Sequence, residues 1–357
     1  MKIYIEGDKI SMNEDQMEPR SRYKPKKKRR GLRITLLLLL FIIVGIGGYG
    51  GYLYYKVSSV SDQSLMEPNR GNQSDLRNSA VDIGKDHFSV LLLGVDDEEN
   101  TSNGRSDSMM VATFNQDDKS MKLLSIPRDS YVEIPGRGMD KITHAHAYGG
   151  IDLTIDTVEG LLGIPIDEVV RVNFDAFKTV IDELGGIDVT IDSQLVADQL
   201  YKESKGKIDL EVGEQTLNGK EALAFARTRK ADSDLKRGQR QMEVITAAME
   251  KVSSLSSIPK YGDVVDRIGE NLTMSFTFNE AIGLYPFISK IDTVEKLQLT
   301  GTDFQPAGTY YFKLDDQSLA TAKTELKSHL NLEDQNNDPN GNMNALDGEQ
   351  GETTPQH

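Results

Sequence analysis

The chain contains no cysteine. That one absence removes disulfides, thiolate nucleophiles and cysteine-based zinc sites together. Basic residues are also outnumbered by acidic ones outside one segment. The whole chain holds 41 Lys+Arg against 56 Asp+Glu, a net charge of -15. Residues 1–33 hold 11 basic and 5 acidic side chains, a net +6, so the remainder stands at -21. An acidic body with one basic arm lacks the extended basic face that nucleic-acid binding requires. No internal repeat is visible. No Gly-x-Ser-x-Gly elbow is present, and Ser125 and Ser130, which flank Arg128, have no histidine partner in the pattern, so covalent catalysis is not expected.

Charge is missing altogether from Ile34 to Tyr55. As a helix these residues would reach roughly 33 Å, enough to span a bilayer. Nine Lys/Arg precede them between Arg20 and Arg33, and Tyr49, Tyr52, Tyr54 and Tyr55 read as an interfacial aromatic belt. The expected organisation is a cytoplasmic basic tail (1–33), a transmembrane signal anchor (34–55), a flexible linker (56–86), a folded extracellular domain (87–330) and a disordered acidic tail (331–357).

Within the folded part, Phe88 to Gly94 is a continuous apolar run, as a buried central strand would be. Met109 to Phe114 and Met121 to Ile126 flank a polar turn and should form a hairpin. Helices are expected over Lys141 to Tyr148, Asp152 to Leu162, Asp175 to Leu184, Asn279 to Ile288 and Gln317 to Leu330. Gly149-Gly150, Gly163 and Gly185-Gly186 would stop the first three. Strands are expected over Val169–Val172, Ile187–Ile191, Thr273–Phe278, Lys296–Thr300 and Thr309–Lys313. The fold class is α/β, a mixed central sheet flanked by helices on both faces.

Candidate chemistry lies at strand ends. The first strand ends at Gly94-Val95-Asp96, the second starts after Arg105-Ser106-Asp107, and the third ends at Pro127-Arg128-Asp129. If the first lies antiparallel to the second, Asp96, Asp107 and Arg128 converge at one mouth of the sheet, where such folds bind ligands. Two carboxylates there make a seat for Mg²⁺. A plain alternative has Asp107 capping a turn and Asp96 in a solvated loop. His144 and His146, two apart on a helix, read as surface or packing residues rather than a metal pair.

A second cluster runs from Arg227 to Gln241, with five basic side chains and two carboxylates between Arg229 and Arg240. Asp234 is the expected N-cap of the helix that follows, and Arg237, Arg240, Gln241 and Val244 share a face by spacing. Arg227 and Arg229, two apart, would point the same way in an extended segment. Guanidinium forks at a helix start suit a diphosphate, although a salt-bridged helix start is an equal reading of this stretch alone.

Together these segments resemble the LytR-CpsA-Psr (LCP) family of cell-wall enzymes. The resemblance is carried by Leu91 to Asp96, Gly104 to Met109, Ser125 to Asp129, Lys141-Ile142-Thr143 with Gly149-Gly150, Leu184 to Val189, and Ala222 to Arg229 through Asp234, Arg237 and Arg240-Gln241. It implies a Mg²⁺-dependent phosphotransferase. Such an enzyme moves wall teichoic acid or a similar glycopolymer from an undecaprenyl-diphosphate carrier to a muramic acid hydroxyl of peptidoglycan. It also implies a single-pass type II protein of the cell membrane in a Gram-positive-type envelope. Asp96 and Asp107 would hold the metal. Arg105, Arg128, Arg227, Arg229, Arg237, Arg240 and Gln241 would grip the diphosphate. Asp234, Arg128 and Arg229 would serve catalysis, Asp234 as base or orienter. An apolar cleft for the lipid could be lined by the helices at Asp152–Leu162 and Asp175–Leu184. Two positions depart from the family pattern: Glu98 stands where an arginine is common, and Thr143 where asparagine is. Alternatives are a non-catalytic lipid-diphosphate-binding membrane protein and an envelope-related transcriptional regulator or attenuator.

Overall fold

The structure, a computed structural model, describes residues 65–71, 73–96, 106–228, 233–254, 272–291 and 293–332. The basic tail, the expected anchor, most of the acidic tail, Glu98, Arg105 and Arg229 lie outside them. Among the described residues no helix is long and apolar enough to cross a membrane.

The apolar run forms strand β1 (Phe88–Val95). It pairs antiparallel with β2 (Ser106–Asn115), from Phe88 opposite Phe114 to Gly94 opposite Ser108. Strand β3 (Ser120–Ser125) returns antiparallel along β2. The turn between them closes on the Asn115 side chain, which accepts from the Asp117 and Asp118 backbone at 3.0 and 2.9 Å, the local bond that makes asparagine a turn former. Strand β4 (Tyr131–Ile134) and β5 (Gly138–Lys141) form a separate hairpin around Pro135-Gly136.

Helix α1 (Thr143–Leu162) leads to β6 (Glu168–Asn173), which runs parallel to β1. Helix α2 (Phe174–Glu183), strand β7 (Ile187–Ile191), helix α3 (Gln194–Glu203) and strand β8 (Gly213–Leu217) follow. Then come α4 (Gly219–Arg227) and α5 (Asp234–Ser253). The chain ends with β9 (Leu272–Met274), α6 (Phe278–Ile288), β10 (Thr293–Gln298), β11 (Gly301–Phe304), β12 (Tyr311–Leu314) and α7 (Asp316–His329). The central sheet is mixed and six-stranded, in the order β10-β3-β2-β1-β6-β9.

Period-2 alternation sends the two faces of this sheet to different fates. Leu91, Leu93, Met109, Val111 and Leu124 pack with α1 and α7 residues such as Ile155, Val158 and Leu326 into a closed core. Phe88, Val90, Met110, Ala112 and Leu123 face α5 and α6 instead. A smaller lobe gathers α3, the β7–β8 hairpin and α4 around Ile187, Leu200, Leu217 and Phe225. Among the described elements helices therefore cover both faces.

Two local expectations change and one holds. Gly149-Gly150 breaks the helix as expected: both residues are non-helical, and α1 is two helical segments joined by a kink there. A Cβ on Gly149 would sit 2.6 Å from the Leu153 side chain, so the kink requires glycine. The strand expected over Thr273–Phe278 shrinks to β9, because Thr277 caps α6 through a reciprocal bond with Glu280. Part of the stretch read as flexible linker is packed on the domain. Arg77 pairs with Asp167 at 2.7 Å with both side chains almost fully buried, and Ile83 joins the core. Removing one member of such a pair costs about 3–5 kcal/mol.

Candidate active site

The β1–β2 ladder slips by one residue at its end: Gly94 faces Ser108 but Val95 faces Ser106. Asp107 is the extra residue of this bulge, and bulges re-aim side chains. Its carboxylate takes a 2.7 Å bond from Arg128 Nη1. Arg128 follows β3 after Ile126-Pro127 and also lies 3.5 Å from Asp129 through Nε. Partial burial works to lower the basicity of Arg128, yet Asp129, Asp107 and Asp234 outweigh it and hold the pKa above its usual value. Asp96, just beyond β1, is 3.7 Å from Arg227 Nη2. Asp107 and Arg128 thus meet at the sheet mouth expected from the strand ends, and Asp96 joins them through Arg227, which lines the same cavity.

Arg227 reaches this mouth because of how α4 is fixed. Asn218 and Glu221 close a capping box at its start. Gly219 touches α2 so closely that a Cβ would lie 2.3 Å from the Lys178 carbonyl oxygen. The last turn then places the Arg227 guanidinium 4.2 Å from the centre of the Phe174 ring. Arg227 is helical, not in an extended segment, so the two-apart argument for Arg227 and Arg229 does not hold here.

Helix α5 supplies the opposite wall. Its N-cap is Ser233, whose hydroxyl accepts from Lys236 N, and Asp234 sits in the first turn instead. Gln298 of β10 donates to the Leu235 carbonyl at 2.6 Å, which pins the helix start to the sheet edge. Gly238 lets α5 approach β3; a Cβ there would meet Ser125 Oγ at 2.6 Å. Arg237 is buried, 3.3 Å from Asp234. Gln241 accepts from Ser108 Oγ at 3.0 Å. Arg237, Gln241 and Val244 line one cavity. Arg240 does not: it turns to the Thr228 carbonyl and ties the end of α4 to α5.

That cavity is the hollow face of the sheet. It measures about 830 Å³ and runs between Phe88, Val90, Ala112 and Phe114 on the strands and residues of α2, α4, α5 and α6. Close-packed interiors leave no such space by accident. Its wall is almost wholly apolar, while Asp107, Arg128, Lys141, His144, Arg227 and Arg237 stand at polar positions on it. Phe177, Val180 and Leu184 of the α2 segment line it as expected; the Asp152–Leu162 segment does not, being committed to the closed core. Lys141, which pairs with Asp129 at 2.7 Å, and Phe174 are site residues to which the sequence reading gave no role. The Lys141-Ile142-Thr143 motif was the available signal. Thr143 donates to the Ser106 carbonyl at 2.7 Å and so fixes α1 beside the bulge.

His144 bonds Asp140 at 2.8 Å and His146 is buried. Among the described residues no three His, Asp or Glu side chains gather as metal ligands. Asp96 and Asp107 offer hard oxygen donors with side chains 51% and 34% exposed. That donor set suits a cation such as Mg²⁺, which takes one or two carboxylates and completes its shell with water and phosphate oxygens.

A model of the LytR_cpsA_psr family matches residues 51–328. The polyisoprenyl-teichoic acid–peptidoglycan teichoic acid transferase TagT of Bacillus subtilis is 50% identical over 322 residues, covering 88% of this chain and all of the relative. A solved structure of TagT bound to LIIa-WTA superposes with a TM-score of 0.69 at 53% identity, over 74% of this chain and 99% of that one. Another, of TagT with bound octaprenyl pyrophosphate lipid, gives 0.65 at 48% identity, with the same coverage.

Proposed function

The chain belongs to the LytR_cpsA_psr family, and on that premise we propose that it is a glycopolymer–peptidoglycan phosphotransferase. It takes wall teichoic acid or a similar anionic polymer from an undecaprenyl-diphosphate carrier and attaches it to a muramic acid hydroxyl of peptidoglycan. The observation that carries this reading is the junction of a long apolar cavity with a mouth of arginines and carboxylates. A polyprenyl diphosphate has the same two-part chemistry, and TagT, half identical to this chain, has been solved with such a lipid.

In this reading the prenyl chain lies among Phe88, Ala112 and Phe114 and the diphosphate rests at Arg128, Arg227 and Arg237. Arg105 and Arg229, outside the described residues, are assigned to the same grip by the family pattern. Arg240 holds the Thr228 carbonyl and acts by position. Gln241, bonded to Ser108, steadies the bulge that aims Asp107. Asp96 and Asp107 would hold Mg²⁺, which supplies charge neutralisation for the phosphate oxygens.

The acceptor hydroxyl oxygen attacks the phosphorus that bears the glycopolymer. The bond from that phosphorus to the bridging oxygen breaks, polyprenyl monophosphate leaves, and a phosphodiester to peptidoglycan remains. Such transfer depends on positioning and charge stabilisation more than on a covalent intermediate, in keeping with a mouth rich in arginine. Asp234 lies against Arg237 and within the field of Arg128. From that contact its role is read as orienting Arg237, and the hydroxyl proton passes to solvent late in the reaction. The anchor at 34–55 keeps the domain at the outer membrane surface, where the carrier lipid resides.

The test is transfer by the full-length protein in bilayer discs, from a synthetic polyprenyl-diphosphate-linked polymer to peptidoglycan, with Mg²⁺ and with chelator. Mg²⁺-dependent attachment is expected. Tight lipid binding without attachment would leave a carrier protein, and release of polymer to water alone would leave a hydrolase.

A further inference from the structure

Lys141 joins the cavity mouth to a second surface. Its Nζ lies 5.7 and 5.8 Å from the ring centres of Tyr310 and Tyr311. Tyr311 packs against Tyr131 with ring centres 4.7 Å apart, and Tyr131 against Phe304 at 5.2 Å. Tyr148 stands nearby, 44% exposed, with the Arg137 guanidinium 5.1 Å from its ring centre. None of these aromatic residues lines the apolar cavity. They come from β4, α1, β11, β12 and the loop before β12, so unrelated parts of the fold deliver aromatic rings to one place beside the mouth.

Beside the Arg137 and Lys141 cations, two carboxylates among the rings accept hydrogen bonds. Asp140 takes bonds from Tyr148 at 2.8 Å, His144 at 2.8 Å and Tyr311 at 3.4 Å. Asp303 takes one from Tyr310 at 3.0 Å. Lys141 is already neutralised by Asp129. Half-exposed rings with fixed carboxylates fit a pyranose, whose C–H face packs on an aromatic ring and whose hydroxyl and amide N–H groups donate.

We propose that Tyr131, Tyr148, Tyr310 and Tyr311, with Asp140 and Asp303, form a subsite for an uncharged N-acetylhexosamine glycan, the acceptor strand, adjoining the mouth through Lys141. This rests on the diphosphate reading of the mouth, since the acceptor must be held where its hydroxyl meets the phosphorus. The subsite positions the acceptor and takes no part in the chemical step.

The experiment uses full-length protein in bilayer discs. Tyr148→Ala is the lead variant because the side chain is exposed; Tyr310→Ala is the second, and thermal unfolding checks both. The acceptor KM is expected to rise at least fivefold. The KM for the lipid-linked donor, and the release of polymer to water without acceptor, should stay within twofold of the parent. Tyr148→Phe, which keeps the ring, should retain most of the acceptor affinity. Saturation-transfer NMR with a soluble N-acetylglucosamine tetrasaccharide should show binding to the parent and its loss in Tyr148→Ala, with no donor present. A rise in donor KM instead would assign the patch to the donor's sugars and overturn the proposal. No change in either KM, or no NMR contact, would overturn it too. Failure of the diphosphate reading is separate: it would appear as unimpaired transfer by Arg128→Ala, whereas the NMR arm does not depend on it.

Discussion

Arg128 Nη1 and Asp107 Oδ1 stand 2.7 Å apart at the cavity mouth, so a group assigned to phosphate and a group assigned to metal satisfy each other. In the proposed reading, a metal–diphosphate pair would replace that single ion pair by two, one at each group. Arg128→Ala should therefore lower transfer roughly 100-fold or more, the usual cost of removing one donor to developing phosphate or oxyanion charge. Arg128→Lys should recover little, because the ammonium lacks the planar fork. Initial rates of polymer transfer measure both, and a loss under tenfold for Arg128→Ala would remove it from the site.

Ala248 lies on α5 along the hollow face of the sheet. Ala248→Phe should fill lipid space without overpacking. Affinity for a long-chain prenyl diphosphate should fall at least tenfold, while a short water-soluble analogue binds as before. Thermal stability should hold or rise, since filled apolar space stabilises. Calorimetric titration with the two ligands separates the outcomes.

Gly219 meets a backbone oxygen that has nowhere to go, so Gly219→Ala must push α4 off α2. A clash of this kind costs about 1–3 kcal/mol. Because α4 ends in Arg227, transfer should fall as well. Denaturant melts and transfer rates should drop together; stability loss with full activity would show that the Arg227 position is not set by this contact.

A half-buried and a buried group give the domain opposite responses to pH. Burial first, then Asp167 and Glu280, raise the pKa of Glu168 from 4.5 to about 7 against a bond from Ser275. The unfolded chain loses this proton near 4.5 and the folded chain near 7, so rising pH across that window lowers stability, by about 3 kcal/mol in full. His329 is pushed from 6.5 to about 4, by burial and then by Lys122. The folded chain gives up that proton at about 4 and the unfolded chain at 6.5, so falling pH across that window lowers stability. Glu168→Gln should leave melting unchanged at pH 4 and raise it increasingly up to pH 7. A parallel offset at every pH would show that Glu168 is not half-buried as described.

The strand ends were readable because a continuous apolar run and a hairpin with a polar turn admit few arrangements. That alone brought Asp96, Asp107 and Arg128 to one mouth. The hollow was not readable. Val90 on its wall and Leu91 in the closed core are adjacent apolar residues of one strand, and only the choice of covering helices separates them. The β4–β5 hairpin was missed although Pro135-Gly136 marks its turn, since four-residue strands carry little alternation. Residues 65–86 read as linker from composition, but Arg77 and Ile83 pack through long-range contacts that composition does not record. Asp234 looked like a cap because serine and aspartate are both good ones; the chain uses Ser233, one residue earlier.

The bulge at Asp107 has a consequence for how such a protein can change. Asp107 has no partner in the β1–β2 ladder, and pairing continues on either side of it. The sheet would close just as well around another side chain there, or none. A lineage can therefore retune or discard the chemistry at this position, one codon at a time, while every strand keeps its neighbour.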